Sequence, residues 1–352
     1  MQRPHFPLGY SPSLDGARGL MTITVIVAHL EYRWYPGAII FMDTFFIMSG
    51  YLITSLLIKD WRENARINLY RFYIRRIYRL FPALLLMLSV YAVVAYFLTR
   101  PYGAELKAIF SALFYVMNWG RAFSWDMSTY LGHTWSLSIE EQFYAVWPLL
   151  CLFLLWVGRA RFRFMVCLLT LIGLASMLWR YQLAVQGAPV YRMYNGTDVR
   201  LDGLSFGCAL AFLVNDRNSF SARAASYVSP ILAPLLSLGL FVFGFQASYE
   251  DRQWYLWQSS VCVLLSTVLV ACLVVRRDTM IHHLYEWKPA VFLGRICYGL
   301  YIWHFPILVL MEDYWKTSLG ARILVGVPLT FLCAILTYYY VELPLMKRRP
   351  GG

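Results

Sequence analysis

The chain has 352 residues, of which 60% are hydrophobic and 14% charged, and its formal net charge is +12. Soluble globular chains are about 45–50% apolar and about 25% charged, so this composition excludes a soluble domain and implies a polytopic membrane protein. The cations cluster between long apolar runs, which makes the positive balance an orientation signal rather than a nucleic-acid footprint.

Apolar stretches predict helices near 19–36, 38–58, 80–99, 106–118, 141–158, 164–183, 200–215, 229–246, 254–275, 289–311 and 321–346. Between them lie cation clusters: Lys59, Arg62, Arg66, Arg71, Arg75, Arg76 and Arg79, then Arg159, Arg161 and Arg163, then Arg217 with Arg223, Arg276 with Arg277, and Lys347-Arg348-Arg349. All of these face the cytoplasm together only if 106–118 does not span. That piece has the length of a re-entrant or interfacial segment. The expected architecture is therefore all-α, with about ten transmembrane helices plus one short re-entrant or interfacial helix. It forms a single membrane domain over 1–352, with both termini cytoplasmic. No linker leads to an appended soluble domain, and the N-terminus lacks the form of a signal peptide. The seven cysteines show neither metal-ligand spacing nor a disulfide framework, and no metal is expected.

The first helix carries Arg18 and His29. Eleven residues turn an α-helix by about 1100°, so the two differ by only about 20° around the axis and by roughly 16 Å along it. Thr22 lies on the same line. An ionisable residue inside an apolar helix is costly and is a functional candidate by default, and a histidine can act as a general base near neutral pH. The second helix carries Asp43, which shares a face with Ile47, Gly50 and Thr54. Asp43 could orient a histidine or pair with a structural arginine. Ser49-Gly50 lets another helix approach closely.

Arg75, Arg76 and Arg79 sit within about one helical turn, denser than orientation requires. Arginine's planar fork suits phosphate, so a nucleotide-bearing donor such as coenzyme A fits this segment; lipid headgroups are the alternative. Further on, Ser138-x-x-Glu141 has the form of a capping box. Glu140 has no such role and could bind an acceptor hydroxyl or assist proton transfer from the outer side. Trp135 and Tyr144 could stack on sugars or mark the membrane interface. Arg200 and Asp202 are neighbours on different helical faces, so each needs a partner elsewhere. His304, beside Pro306, is a second intramembrane histidine.

Together these segments resemble the acyltransferase-3 family of membrane-bound acyltransferases. The similarity covers nearly the whole chain. It rests on Leu14 to Gly19, on Arg18 and His29 with ten residues between them, on Phe45 to Ile53, on Phe72 to Pro82, on His133 to Pro148 and on Leu293 to Pro306. The resemblance implies a ten-helix core, acetyl-CoA or another acyl-CoA as donor on the cytoplasmic side, and O-acylation of a glycan or lipid-linked sugar. A small-molecule acceptor is also compatible. It further implies that His29 is essential, that Arg18 belongs to the same site and that the arginine cluster helps hold the donor. Phe41-Met42 stand before Asp43 where the family usually has Gly-Val, which leaves acceptor size open. Some members carry an extracytoplasmic hydrolase-like domain that this chain does not show.

The sequence reading is an acyl-CoA-dependent O-acyltransferase integral to the cytoplasmic (inner) membrane. Its expected catalytic residues are His29, Arg18, Asp43 and Glu140, its donor-binding residues Arg75, Arg76 and Arg79, and its partners the lipid bilayer, the donor and the acceptor, with no nucleic acid. The rival is a secondary transporter or flippase using the same buried charges as a path. Interrupted helices repeated in two halves would mark it, and no such repeat is visible.

Overall fold

The computed structural model describes residues 11–99, 102–157, 161–215, 229–275 and 280–348. Six of the expected orientation cations (Arg159, Arg217, Arg223, Arg276, Arg277 and Arg349) lie outside these. Among the described residues every regular element is helical. Helix α1 is Pro12–Leu30, α2 Ile39–Asn64, α3 Leu69–Leu98, α4 Gly103–Leu113, α5 Met117–Ala122, α6 Trp135–Val157, α7 Phe162–Val185 and α8 Val190–Asn195. Then come α9 Leu201–Val214, α10 Leu232–Phe243, α11 Trp254–Val275, α12 Met280–Tyr285, α13 Lys288–Asp313 and α14 Leu319–Arg348.

Local chemistry sets the ends. Pro12 stands in the first turn of α1, where its missing N–H and fixed φ are assets. The chain leaves α2 through Ala65 in the left-handed region at φ 51°. Asn68 caps α3 by accepting from the Arg71 N–H at 2.9 Å, and Asp60 accepts from the Asn68 N–H at 2.6 Å.

Seven helices are long and apolar enough to cross a membrane: α2 with its preceding turn, α3, α6 with its preceding turn, α7, α11, α13 and α14. Helix α1 and the shorter apolar α9 and α10 stand at the other three expected positions. The stretch 106–118 divides into the 11-residue α4 and the start of α5. Tyr91 of α3 fastens α4 by donating to the buried Glu105 carboxylate.

Burial separates central from peripheral helices. The apolar windows of α2 and α13 are 67% buried, against 28% for α7 and 22% for α14. The outward faces of α6 and α7 are apolar, with Phe153, Trp156, Leu171 and Leu178 exposed, as lipid contact requires. Without a water-driven hydrophobic force, helices in lipid associate through close packing at small residues. At Gly294 of α13 an added Cβ would stand 1.9 Å from the Asp15 carbonyl oxygen of α1, and at Gly50 of α2 it would stand 2.2 Å from the Leu204 carbonyl oxygen of α9. These two seams, α1 on α13 and α2 on α9, form the middle of the bundle.

Four buried charges tie α2, α7 and α9 together. Arg200 pairs with Asp43 at 2.7 Å and Arg180 with Asp202 at 2.7 Å. Arg180 also donates to the Val199 carbonyl at 2.7 Å and to Ser260 at 3.0 Å, and Arg200 to the Tyr194 carbonyl at 3.0 Å. The capping-box reading of Ser138 is corrected. A turn at Gly132–Thr134 feeds α6 directly at Trp135, so Ser138 is inside the helix and donates to the Thr134 carbonyl at 3.0 Å.

Candidate active site

The α1–α13 seam brings two polar lines face to face. Arg18 and His29 share one side of α1, and Cys297 and His304, seven residues apart, share one side of α13. At one level Arg18 is within electrostatic reach of Cys297. At the other, His304 Nε2 lies 3.2 Å from His29 Nδ1.

Backbone carbonyls fix the protons of this histidine pair. His304 Nδ1 lies 2.7 Å from the Tyr301 carbonyl oxygen and 3.1 Å from that of Leu300. Carbonyl oxygens only accept, so Nδ1 is the protonated nitrogen of His304 and its Nε2 carries a lone pair. His29 Nδ1 in turn lies 2.9 Å from the Val25 carbonyl oxygen, so it too is protonated and is shared between that carbonyl and His304 Nε2. The lone pair of His29 therefore resides on Nε2, which has no hydrogen-bond partner among the described residues. A neutral imidazole with a bare, oriented nitrogen is the form a general base or nucleophile needs.

His29 faces a cavity of about 460 Å³, whose wall includes His133, Arg121, Trp135, Tyr194, Tyr301 and Met42, with Glu31 and the exposed Glu250. His133 stacks on Phe305 at 4.9 Å and lies 5.5 Å from His304, between ring centroids, and Phe305 meets His29 edge-on at 4.9 Å. Tyr301 donates to the His133 carbonyl at 2.7 Å and accepts from Ser136 at 2.6 Å. Of the two bulky residues before Asp43, Met42 narrows this cavity, whereas Phe41 lines a separate apolar groove. Trp135, Tyr194, Tyr249 and Tyr32 form a run of ring contacts along the cavity, at centroid separations of 4.7, 5.1 and 5.6 Å.

A second polar centre lies toward the start of α3. Arg75, Arg76 and Arg79, with Lys59 and Arg71, line a cleft of about 350 Å³. The Arg76 guanidinium sits 4.5 Å over the Tyr144 ring. Ser49 donates to Glu140 at 2.6 Å and meets the Tyr144 hydroxyl at 2.9 Å. Arg18 and Arg76 both act on Glu140 electrostatically, and Arg79 feels Arg18 and Arg76.

The structure thus gathers Arg18, Glu140, Arg76 and Arg79 around one centre and places His29 in the other, about 16 Å away along α1. Glu140, expected to meet an acceptor from the outer side, is not part of the His29 cavity wall. It sits deeper because α6 begins at Trp135, more than a turn before it. Asp43 does not reach a histidine; it pairs with Arg200. Sequence reasoning named His304 without its partner and gave no role to Arg121, for which the sequence offers no motif. Among the described residues no group of His, Cys, Asp and Glu is arranged to hold a metal ion.

With this geometry in view, comparison with known proteins is specific. The acyltransferase-3 family model, described as an acyltransferase domain, matches residues 11–339. The peptidoglycan O-acetyltransferase OatA of Listeria monocytogenes is 33% identical over 352 residues, which cover 96% of this chain and 56% of the relative. The O-acetyltransferase OatA of Staphylococcus aureus is 31% identical over 360 residues, covering 96% of this chain and 58% of the relative. The chain therefore spans about half the length of the curated relatives it matches. No solved structure matches.

Proposed function

The chain belongs to the acyltransferase-3 family, and from that premise we propose that it is a membrane O-acyltransferase moving an acetyl group from acetyl-CoA to a glycan hydroxyl, peptidoglycan being the first candidate. The observation that carries this is His29 Nε2, unpartnered at the wall of a cavity, with its tautomer held by His304 and the Val25 carbonyl.

In this reading the chain is one membrane domain of ten spans in the cytoplasmic membrane, with both termini inside. Arg75, Arg76 and Arg79 hold the donor's phosphates at the cytoplasmic face. Arg18 and Glu140 line the way inward for the thioester. The acceptor enters the His29 cavity from the other end, against the aromatic run that begins at Trp135. His29 Nε2 takes the proton of the attacking hydroxyl, an effect typically worth 10²–10⁴-fold. The two-centre geometry supports this route and these residue roles, and the names of the relatives support acetyl transfer to an oxygen. Asp43 supports the site only as the partner of Arg200.

The test uses purified protein in nanodiscs, wild type beside His29→Ala, with acetyl-CoA labelled in the acetyl group and solubilised peptidoglycan strands. Label should reach the glycan in the wild type, and coenzyme A release should fall by about 10³-fold in His29→Ala. Label trapped on the protein and dependent on His29 would identify an acyl-imidazole carrier instead of a base. Failure of the wild type to bind any acyl-CoA would overturn the acyltransferase reading and leave a transporter.

A further inference from the structure

Arg121 is the one lysine or arginine on the described wall of the His29 cavity. No carboxylate pairs with it among the described residues, although other arginines of the bundle have one: Arg180 has Asp202, Arg200 has Asp43, Arg192 has Asp198 and Arg322 has Glu312. Arg121 is half-buried, and the carboxylates that share its cavity wall (Glu31, Glu250 and Glu312) form no ion pair with it among the described residues, so its guanidinium is open to an anion at some stage of function.

The guanidinium is also held in place. Its Nε donates to Asn195 Oδ1 at 3.3 Å, and its Cζ lies 5.4 Å from the Tyr191 ring centroid. Gly132, immediately before His133, allows the approach from a third side: any Cβ there would stand 2.2 Å from Arg121 Nη1. The short helix α5 that carries Arg121 is itself pinned. Asn118 donates to Thr197 at 2.9 Å, Thr197 to Gln142 at 2.7 Å, and Gln142 back to Asn118 at 2.9 Å, closing a ring across α5, α6 and the loop after α8. The fixed charge acts on His29, His133 and Tyr301 alike.

We infer that Arg121 is a catalytic residue that binds the oxyanion formed during acyl transfer. The inference rests on the acyltransferase reading of the cavity. The acceptor oxygen bonds to the thioester carbonyl carbon while its proton passes to His29 Nε2, and the carbonyl π pair moves onto oxygen, against the guanidinium. Collapse re-forms the C=O bond and breaks the C–S bond, and the leaving thiolate takes the proton back from His29. A donor fixed in advance at the point where charge develops is the arrangement that stabilises such an intermediate, and removing one such donor typically costs 10²–10³-fold in kcat.

The experiment measures acetyl transfer from acetyl-CoA to solubilised peptidoglycan strands for wild type, Arg121→Ala, Arg121→Lys and Gly132→Ala in nanodiscs. For Arg121→Ala the expectation is a fall of about 10²-fold or more in kcat with the acceptor KM unchanged, and partial rescue by added methylguanidinium, which an unfolded variant would not show. Arg121→Lys should lose less than Arg121→Ala. Gly132→Ala keeps the arginine but displaces Nη1, and should lose kcat in the same direction. A full rate in Arg121→Ala, or a loss confined to the acceptor KM, would overturn the inference while leaving the acyltransferase reading intact. An inert wild type that binds no acyl-CoA would overturn that reading and the inference with it.

Discussion

Where α2 and α7 pack on α9, four ionised side chains are matched two by two, Asp43 with Arg200 and Arg180 with Asp202, each pair at 2.7 Å and wholly buried. In the cavity beside the α1–α13 seam, among the described residues, His29 Nε2 has no hydrogen-bond partner and Arg121 forms no ion pair with a carboxylate. Both regions lie in one bundle, and both carry residues that stand out in the sequence as costly intramembrane charges. The difference is in charge matching: the quartet pairs every charge, although Asp43 Oδ2, Arg180 Nε and Arg200 Nη2 lack a hydrogen-bond partner, whereas Arg121 has no paired carboxylate among the described residues. Matched charges fix the helices relative to each other, whereas bare lone pairs and unpaired cations are the groups left over for a substrate. Burial of a charge alone does not distinguish the two; whether each charge has its counter-charge does.

The largest expected effect would break this contrast if it failed to appear. Arg200→Ala strands the Asp43 carboxylate in the core, and breaking a buried pair in this way costs about 3–5 kcal/mol. The variant should lose most of its folded yield, as read by thermal unfolding in nanodiscs. His29→Ala should melt within about 1 kcal/mol of the wild type while losing transfer. Replacing both partners, Asp43→Leu with Arg200→Met, should recover much of the single-variant loss. An Arg200→Ala protein that melts like the wild type but transfers nothing would move the quartet into the active site.

The next prediction sharpens the contrast inside the cavity. His304 is fully buried and acts through His29, so it is a positioning residue. His304→Phe removes one of the two acceptors of the His29 Nδ1 proton and leaves the Val25 carbonyl alone to hold the tautomer, which loosens it. A loss of about 10–100-fold is expected, the scale typical of groups that orient a functional imidazole from behind. His304→Gln, which retains an accepting oxygen, should recover part of it. Nitrogen-15 chemical shifts of His29 should show the lone pair on Nε2 in the wild type and a mixed tautomer in His304→Phe. A wild-type rate with an unchanged tautomer in His304→Phe would remove the pairing from the mechanism.

What the sequence disclosed and what it withheld divide along the same line of local against distant information. The all-α class, the Arg18–His29 line and the Arg75–Arg79 cluster are legible because helical periodicity and charge density are local properties. The partners are not. His304 meets His29 across 275 positions, and Arg200 meets Asp43 across 157; only the packing of α1 on α13 and of α2 on α9 decides those contacts. Asp43 offered two readings from sequence, and an arginine on α9's threshold took it. Glu140 was expected on the outer side because the cation count over the spans put the start of its helix there. The true start at Trp135 follows from a short turn at Gly132–Thr134 that carries no marker of its own.

The smallest effect concerns a pair between these extremes, at the surface end of the scaffold that holds Arg121. Asp198, in the loop before α9, is half-buried. Burial raises its carboxyl, but the hydrogen bonds from Arg192 and Trp179 outweigh this and hold it below the usual carboxylate range. Arg192 reaches its two oxygens at 2.9 and 2.5 Å, and Trp179 donates at 2.7 Å. A depressed folded-state value means that the contribution to stability is present above the unfolded-state value and is lost as pH falls through the folded one. Asp198 should therefore support α8 near neutrality and release it in acid. Asp198→Asn should melt slightly below the wild type at pH 7 and converge with it at low pH, because protonation has by then removed the same charge. The effect is small because solvent reaches the pair and screens it. Two melting curves with a constant offset across the acid range would show that Asp198 contributes by shape and neutral hydrogen bonding, which would place it with the matched charges only in appearance.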